Sequence, residues 1–384
     1  MGTTNTEIIY LDYAATSPGK HQAVREAMLK AVELANPGRG GHGPGIKASR
    51  LLAESRRVLA EFLGLRDDRR LVFTSGATES LNTAILGLLP ENKPLRILST
   101  DVEHNATARL LSRLVEVRGA VWEKIPSADG GFSSRLGEAL GRKADLVVMC
   151  HVSNVNGVRQ DLDEAGRLCA GARVPLIVDA AQSLGLDRLH LSPWSILCGG
   201  GHKGLRGPMG VGIMAIGEGL LPRPVLLGGT GSRSESLGMP THLPDRLEAG
   251  TPNLPGIAGL AAALLHLPDG AAPLQERRTH LLKGLRSFEN ELLVQGPEIG
   301  GMALSISGPG FDLGELAHLL HEKWGLCLRA GLHCAPLAHQ TLGTFPSGSL
   351  RIAPGPETPF EHLDLFLNGL KAELPLCRVK KVLS

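Results

Sequence analysis

Residues 195–208 read Ser195-Ile-Leu-Cys-Gly-Gly-Gly-His202-Lys203-Gly-Leu-Arg-Gly-Pro208: an apolar run, three glycines, then a histidine–lysine pair in a turn. Surface lysines rarely follow such a pattern. Upstream, Pro175-Leu-Ile-Val-Asp179-Ala-Ala-Gln182 reads as a buried strand ending in a carboxylate, with an amide three residues on. A lysine amine in a tight turn can form a Schiff base with an aldehyde. A strand-end carboxylate can keep a pyridine nitrogen protonated, so that the ring acts as an electron sink. Lys203 and Asp179 together therefore suit pyridoxal 5'-phosphate (PLP), although Asp179 also reads as a helix cap. Far downstream, Arg329-Ala-Gly-Leu-His333-Cys334 sets a thiol among polar neighbours, beyond an arginine. A nearby cation favours the nucleophilic thiolate. The plainer reading of Cys334 is an inert loop cysteine. A cofactor lysine with a reactive thiol points to sulfur chemistry.

Other polar residues stand where strands should end. Thr74-Ser-Gly76-Ala77-Thr78-Glu79 follows an apolar run and opens a helical pattern. Its backbone N–H groups and hydroxyls suit a phosphate, or simply cap the helix. His104 is either a satisfied strand-end histidine or an imidazole laid against a cofactor ring. Arg351 alternates with apolar residues in Ser349-Leu-Arg-Ile-Ala-Pro354, and reads as a bidentate carboxylate clamp or as a structural ion pair. Gly38-Arg-Gly40-Gly-His-Gly43 fits GxGxxG, but a helical pattern and Asn36-Pro37 precede it, so no strand feeds a dinucleotide-binding turn.

The elements that must position these residues follow from periodicity. Apolar, β-branched runs at 71–74, 96–99, 145–150, 175–179, 195–198 and 210–216 alternate with helical patterns at 79–89, 105–117 and 162–172. This alternation predicts an α/β fold with a mostly parallel sheet covered by helices on both faces. Ligands in such sheets bind outside the carboxyl ends of the strands. Residues 217–256 read as long loops. A charged amphipathic helix is expected over 274–293, strands near 301–306 and 348–352, and a last helix near 359–374. The expected organisation is a large domain over 18–256 and a smaller α+β domain from 1–17 and 257–384.

A chain of 384 residues, 42% hydrophobic and 20% charged, is an ordinary globular composition. Net charge +2 gives no argument for nucleic acid or a membrane surface. The six cysteines form no CxxC pair and no metal-ligand spacing, so no metal site and no disulfide framework are expected. Cys150 and Cys198 end apolar runs and read as buried small hydrophobes. No apolar leader and no run of about 18 apolar residues is present, which predicts a cytoplasmic protein. Met1-Gly2 to Thr6 fits the loose myristoylation pattern, with no basic or palmitoylatable support.

Together these motifs resemble the cysteine desulfurases, the sulfur-mobilising branch of the class V aminotransferase superfamily. The similarity runs from Tyr10-Leu-Asp-Tyr-Ala-Ala-Thr16 to about Pro354, with six or more motifs in the family's order. It implies PLP-dependent transferase fold type I, with a seven-stranded sheet in the large domain and the catalytic cysteine loop on the smaller one. It also implies roles. Lys203 matches the lysine that binds PLP, Asp179 the pyridinium partner, and Gln182 the donor to the phenolic oxygen. His104 matches the ring-stacking histidine, and Ala77, Thr78 and His202 match phosphate contacts. Asn154 and Arg351 match the groups that position the amino-acid substrate, Asn154 also lying on the cofactor. Thr251, in Glu248-Ala-Gly-Thr-Pro-Asn253, matches a phosphate contact supplied to the partner subunit, which implies a homodimer with shared sites. Cys334 matches the persulfide-forming cysteine, in a setting similar to the short-loop branch that includes the selenocysteine lyases. The implied reaction takes L-cysteine to L-alanine, with sulfur passing to Cys334 and on to an acceptor protein or reductant. Selenocysteine lysis, or another class V aminotransferase or lyase reaction on a small amino acid, is the alternative. Two departures stand out. Gly200 replaces the usual serine of Ser-Gly-His-Lys, and Leu332 stands where the short-loop branch often has a second histidine.

Overall fold

The computed structural model describes residues 7–38, 41–91, 93–232, 235–269 and 271–379. The myristoylation pattern at 1–6, and Arg39 and Gly40 of the GxGxxG match, lie outside them. The chain divides into two compact units. One comprises Pro18–His151 and Gln160–Leu267, the other Met1–Ser17, Val152–Arg159 and Pro268–Ser384.

The first unit is built on a seven-stranded sheet. In spatial order its strands are Leu71–Thr74, Gly212–Ile216, Ser195–Gly200, Leu176–Asp179, Leu146–Cys150, Arg96–Thr100 and Val121–Ile125. Gly212–Ile216 runs antiparallel to both neighbours, and the other pairings are parallel. The central strands are apolar throughout because both faces are covered. Along Leu146–Cys150, Val147 and Met149 join one buried cluster and Leu146 and Val148 the other. Each such side chain contributes roughly 1.5–3 kcal/mol when fully buried. The parallel strands therefore end together, and the segments after them are set at one edge of a rigid sheet.

Helix Ala77–Leu88 follows the first of these strands, and helix Asn105–Arg118 follows Arg96–Thr100. Helix Leu162–Ala172 starts on Asp161, whose carboxylate accepts the Glu164 N–H at 2.9 Å. Helix Gln22–Val32, and not a strand, is the element preceding the GxGxxG match, and helix Gly43–Phe62 starts at the last glycine of that match. Residues 217–253 carry neither helix nor strand among the described residues.

The second unit holds an antiparallel sheet in the order Arg329–Gly331, Ser349–Ile352, Leu304–Ser307, Leu293–Gln295, and a parallel pair of Ile9–Tyr10 with Leu326–Cys327. Helices Ala271–Leu285, Leu313–Trp324 and Phe360–Glu373 close its core through Leu281, Leu316, Leu320 and Phe366. The helix expected over 274–293 ends at Leu285. A 3-10 turn follows, and Leu293–Gln295 is taken into the sheet by pairing with Ser305–Ser307. No described helix is long and apolar enough to cross a membrane.

Candidate active site

In the first unit, the candidate residues gather at the carboxyl ends of the strands. Asp179 ends its strand in register with Cys150 on one side and Cys198 on the other. It is buried, and its Oδ1 accepts the Ala181 N–H at 3.0 Å. Both flanking thiols are buried, which pushes them well above the usual cysteine range and makes them inert. Gln182 is buried in the turn that follows.

Lys203 sits half-buried in the turn after Ser195–Gly200. Arg206, at φ +57°, donates its N–H to the Lys203 carbonyl at 2.9 Å and closes the turn. Gly204 is required there, because a Cβ would lie 2.4 Å from the Leu184 carbonyl oxygen. Burial, with the charges of Lys203 and Lys20, pushes His202 down to about 4, so it is neutral at pH 7. Lys20 donates to the His202 carbonyl at 3.3 Å. Burial and the Arg206 charge bring Lys20 down to about 8. Nothing in the sequence marked Lys20, which lies outside every motif.

Helix Ala77–Leu88 has Gly76 at its N-cap, and no side chain caps it. Its first N–H groups and macrodipole therefore face a position suited to an anion. The Thr74 hydroxyl is instead turned inward, 2.7 Å from Ser80 Oγ. A Cβ built on Gly200 would lie 3.6 Å from His202 Nε2 and 3.9 Å from Ala77 N, so these two groups converge on one point. Thr78 is exposed. Thr251 is exposed too, receives Asn36 Nδ2 at 3.3 Å, and lines a cavity of about 490 Å3 with Thr74, Ser75 and Glu79.

His104 is the N-cap of helix Asn105–Arg118: its Nδ1 accepts the Ala106 N–H at 3.0 Å. This fixes the ring and leaves the proton on Nε2. Before it, Glu103 is fully buried. Its Oε1 accepts the Cys150 N–H at 2.8 Å and the Thr100 hydroxyl, while Oε2 has no hydrogen-bond partner. Burial chiefly, then the Asp179 charge, pushes this carboxyl up to about 7, against the Thr100 and Cys150 hydrogen bonds. Folding therefore favours the protonated form. The resulting stabilisation is present in full below the ordinary carboxyl range and is lost as pH rises towards 7. The linked loss is about 3 kcal/mol. Glu103→Gln should remove it. Urea unfolding of wild type and variant at pH 4.5 and pH 8 should show the variant gaining on the wild type as pH rises; parallel stabilities would refute the buried-acid assignment.

In the second unit, Cys334 is exposed, and Arg329 Nη2 lies 3.5 Å from its Sγ. His333 and Cys334 have φ of +49° and +57°, two successive non-glycine residues in the left-handed region. Each such residue costs about 1–3 kcal/mol and persists only where the surroundings enforce it. His333 is buried and Nε2 lies 3.1 Å from both the carbonyl and the hydroxyl of Ser349. Burial, then the charge of Arg351, holds it far below the usual histidine range, so it is neutral. Nε2–H donates to the carbonyl. Arg351 is buried, paired with Asp12, and donates Nη1 to the Asn154 carbonyl at 3.0 Å; its Nε has no partner. The structure thus contains the ion-pair reading of Arg351. The Asp12 partner, inside the Tyr10–Thr16 motif, carried no sequence signal of its own. Asn154 is buried and donates Nδ2 to the His333 carbonyl at 2.7 Å, with Oδ1 unpartnered.

All six cysteines are free. Among the described residues, no group of three or more His, Cys, Asp or Glu could hold a metal ion.

The sequence profile of the family described as aminotransferase class-V matches residues 9–366. A probable cysteine desulfurase of Pyrococcus abyssi is 30% identical over 382 residues, covering 95% of this chain and 94% of its own. A cysteine desulfurase of Cereibacter sphaeroides is 30% identical over 339 residues, 86% of this chain and 84% of its own. The apo structure of a cysteine desulfurase from Thermococcus onnurineus NA1 superposes with TM-score 0.88 at 29% identity, over 96% of this chain and 95% of that one. The fold is therefore that of the PLP-dependent enzymes of fold type I, and the chain belongs to the class-V aminotransferase family, in its cysteine desulfurase branch.

Proposed function

We propose that the protein is a PLP-dependent cysteine desulfurase that converts L-cysteine to L-alanine and takes the sulfur onto Cys334. The observation that carries this reading is the pairing of the Lys203–Asp179 arrangement with an exposed Cys334 beside the Arg329 guanidinium. The donor set fits PLP on this chain's own geometry: a helix start without a side-chain cap, His202 Nε2 and the Ala77 N–H converging at Gly200, and a buried carboxylate at the strand end. Bound there, PLP supplies an electron sink for the substrate's α-carbon.

Ala77, Thr78 and His202 are assigned to the phosphate, Gln182 to the phenolic oxygen, Asp179 to the ring nitrogen and His104 to the ring face. His104 reaches that task with its Nδ1 committed to the helix cap, so the ring cannot turn. Lys203 takes the proton from the substrate α-carbon. Arg351 and Asn154 are assigned to the substrate carboxylate, Arg351 through the Nε that has no partner. The Arg329 guanidinium, 3.5 Å from the Cys334 sulfur, is the polar group placed to orient it, a task Leu332 cannot perform. In the net reaction, the Cys334 sulfur forms an S–S bond to the substrate sulfur, the Cβ–S bond breaks, and Cβ gains a proton. L-cysteine and a thiol thus become L-alanine and a persulfide, with no external oxidant. The persulfide passes to an acceptor protein or a reductant.

The working unit in this reading is a homodimer, with the exposed Thr251 serving the phosphate of a second copy. A thiol intermediate and six unpaired cysteines support a reducing compartment, the cytoplasm. The test is product analysis with PLP-loaded protein, L-cysteine and a thiol reductant. Equal L-alanine and sulfide are expected; a keto acid would indicate transamination, and turnover of L-selenocysteine alone a selenocysteine lyase.

Gly200 gives a separate prediction. A serine Cβ there meets its neighbours at ordinary contact distances, 3.4 Å and beyond, and its hydroxyl joins His202 Nε2 and the Ala77 N–H. One added hydrogen bond is worth about 0.5–1.5 kcal/mol. Gly200→Ser should therefore bind PLP up to about tenfold tighter, measured by fluorescence titration of the cofactor-free protein. Weaker binding would show that the phosphate is not held there.

A further inference from the structure

We infer that Asn154 is a positioning residue for the Cys334 thiol, acting through the main chain of His333. This deepens the sulfur-transfer reading of Cys334 and rests on it.

His333 and Cys334 are both left-handed, so the loop needs an outside constraint at that point. Asn154 supplies it directly: Nδ2 donates to the His333 carbonyl at 2.7 Å. Its neighbour supplies a second path. The Val155 carbonyl accepts Ser305 Oγ at 2.6 Å, Ser305 Oγ receives Ser349 Oγ at 3.0 Å, and Ser349 faces His333 Nε2 at 3.1 Å. Asn154, Ser305, His333 and Ser349 are all buried, so water does not substitute for a lost partner. The Asn154 backbone is itself fixed, because its carbonyl accepts Arg351 Nη1 at 3.0 Å. The Asn154 NH2 group carries two donor hydrogens. One is used on the His333 carbonyl, which ties the thiol loop to this side chain and sets where Cys334 is held; the other remains for the substrate carboxylate. A misplacement of about 1 Å can cost on the order of a hundredfold in rate.

Two variants test this in the PLP-loaded protein: Asn154→Ala, and Asn154→Asp, which keeps the size and removes the donor. The first measurement is hydrogen–deuterium exchange in the peptide spanning residues 329–335, where the Ala335 N–H is bonded to the Leu332 carbonyl. Both variants should exchange there at least about tenfold faster, with helix Ala77–Leu88 unchanged. The second is steady-state kinetics: kcat for alanine formation should fall about tenfold to a hundredfold, a fall that a lost contact to the substrate carboxylate alone, which raises KM at unchanged kcat, does not give. Unchanged exchange would overturn the inference, as would a raised KM or lost PLP with kcat preserved, or faster exchange without a fall in kcat. The exchange result does not depend on what Cys334 does. If Cys334→Ala still turned over L-cysteine, the sulfur-transfer reading would fail and the loop measurement would stand apart from it.

Discussion

Lys203→Ala is expected to abolish alanine formation, lowering it by about 10³-fold or more. Two contributions disappear together. On the proposed reading these are the amine that would fix PLP covalently and the base for the substrate α-proton, a role worth about 10²–10⁴-fold alone. Lys203→Arg should fail equally, since a guanidinium keeps the charge but is neither nucleophile nor base at neutral pH. Reduction with borohydride followed by peptide mapping checks the attachment directly. Wild type should carry the reduced cofactor on the peptide containing Lys203, and neither variant should carry it anywhere. Turnover within tenfold of wild type in either variant would remove Lys203 from the chemistry.

Cys334→Ala should separate cofactor from sulfur transfer. The loop lies in the second unit and PLP is assigned to residues of the first, so PLP content and colour should stay unchanged. Alanine formation should drop by roughly two to three orders of magnitude, the scale on which a positioned reacting group contributes. Cys327→Ser is the matched control. That thiol is half-buried, 3.9 Å from His321 Nδ1, and burial raises it above the usual cysteine range. Its loss should leave turnover within about twofold. Equal effects of the two substitutions would mean that a thiol's presence, not its place, governs the rate.

The sheet was legible where strands are buried on both faces. Leu146–Cys150, Leu176–Asp179 and Ser195–Gly200 read as unbroken apolar runs because helices cover them. Val121–Ile125 was missed because it is the edge strand: Val121 is exposed, and Glu123 and Lys124 interrupt the pattern. That Gly212–Ile216 runs antiparallel has no sequence signal, since direction is set by the connection and not by composition. The over-long helix at 274–293 arose because Leu292–Val294 continues an apolar periodicity that the sheet claims for pairing.

The chemical residues were legible one at a time, their contacts less so. Lys203 and Asp179 announce themselves by the glycines and the strand around them. That the His104 imidazole caps a helix, that Arg351 is paired with Asp12 far away in the chain, and that the Asn154 amide is used on a loop carbonyl are tertiary facts without local pattern. Glu103 stands next to His104 in the sequence, with no pattern of its own to mark it. That it is fully buried with an unpartnered oxygen depends on the strand Leu146–Cys150 packed beside it.

The most direct measurement of the central claim is a single turnover without reductant. PLP-loaded protein is mixed with one equivalent of L-cysteine per chain, quenched, and followed for both alanine and the mass of each cysteine peptide. One equivalent of L-alanine per chain should appear together with the mass of one added sulfur atom on the peptide containing Cys334, and the five other cysteines should stay unmodified. Alanine formed with Cys334 unmodified, or no alanine from a protein that holds its PLP, would contradict the account.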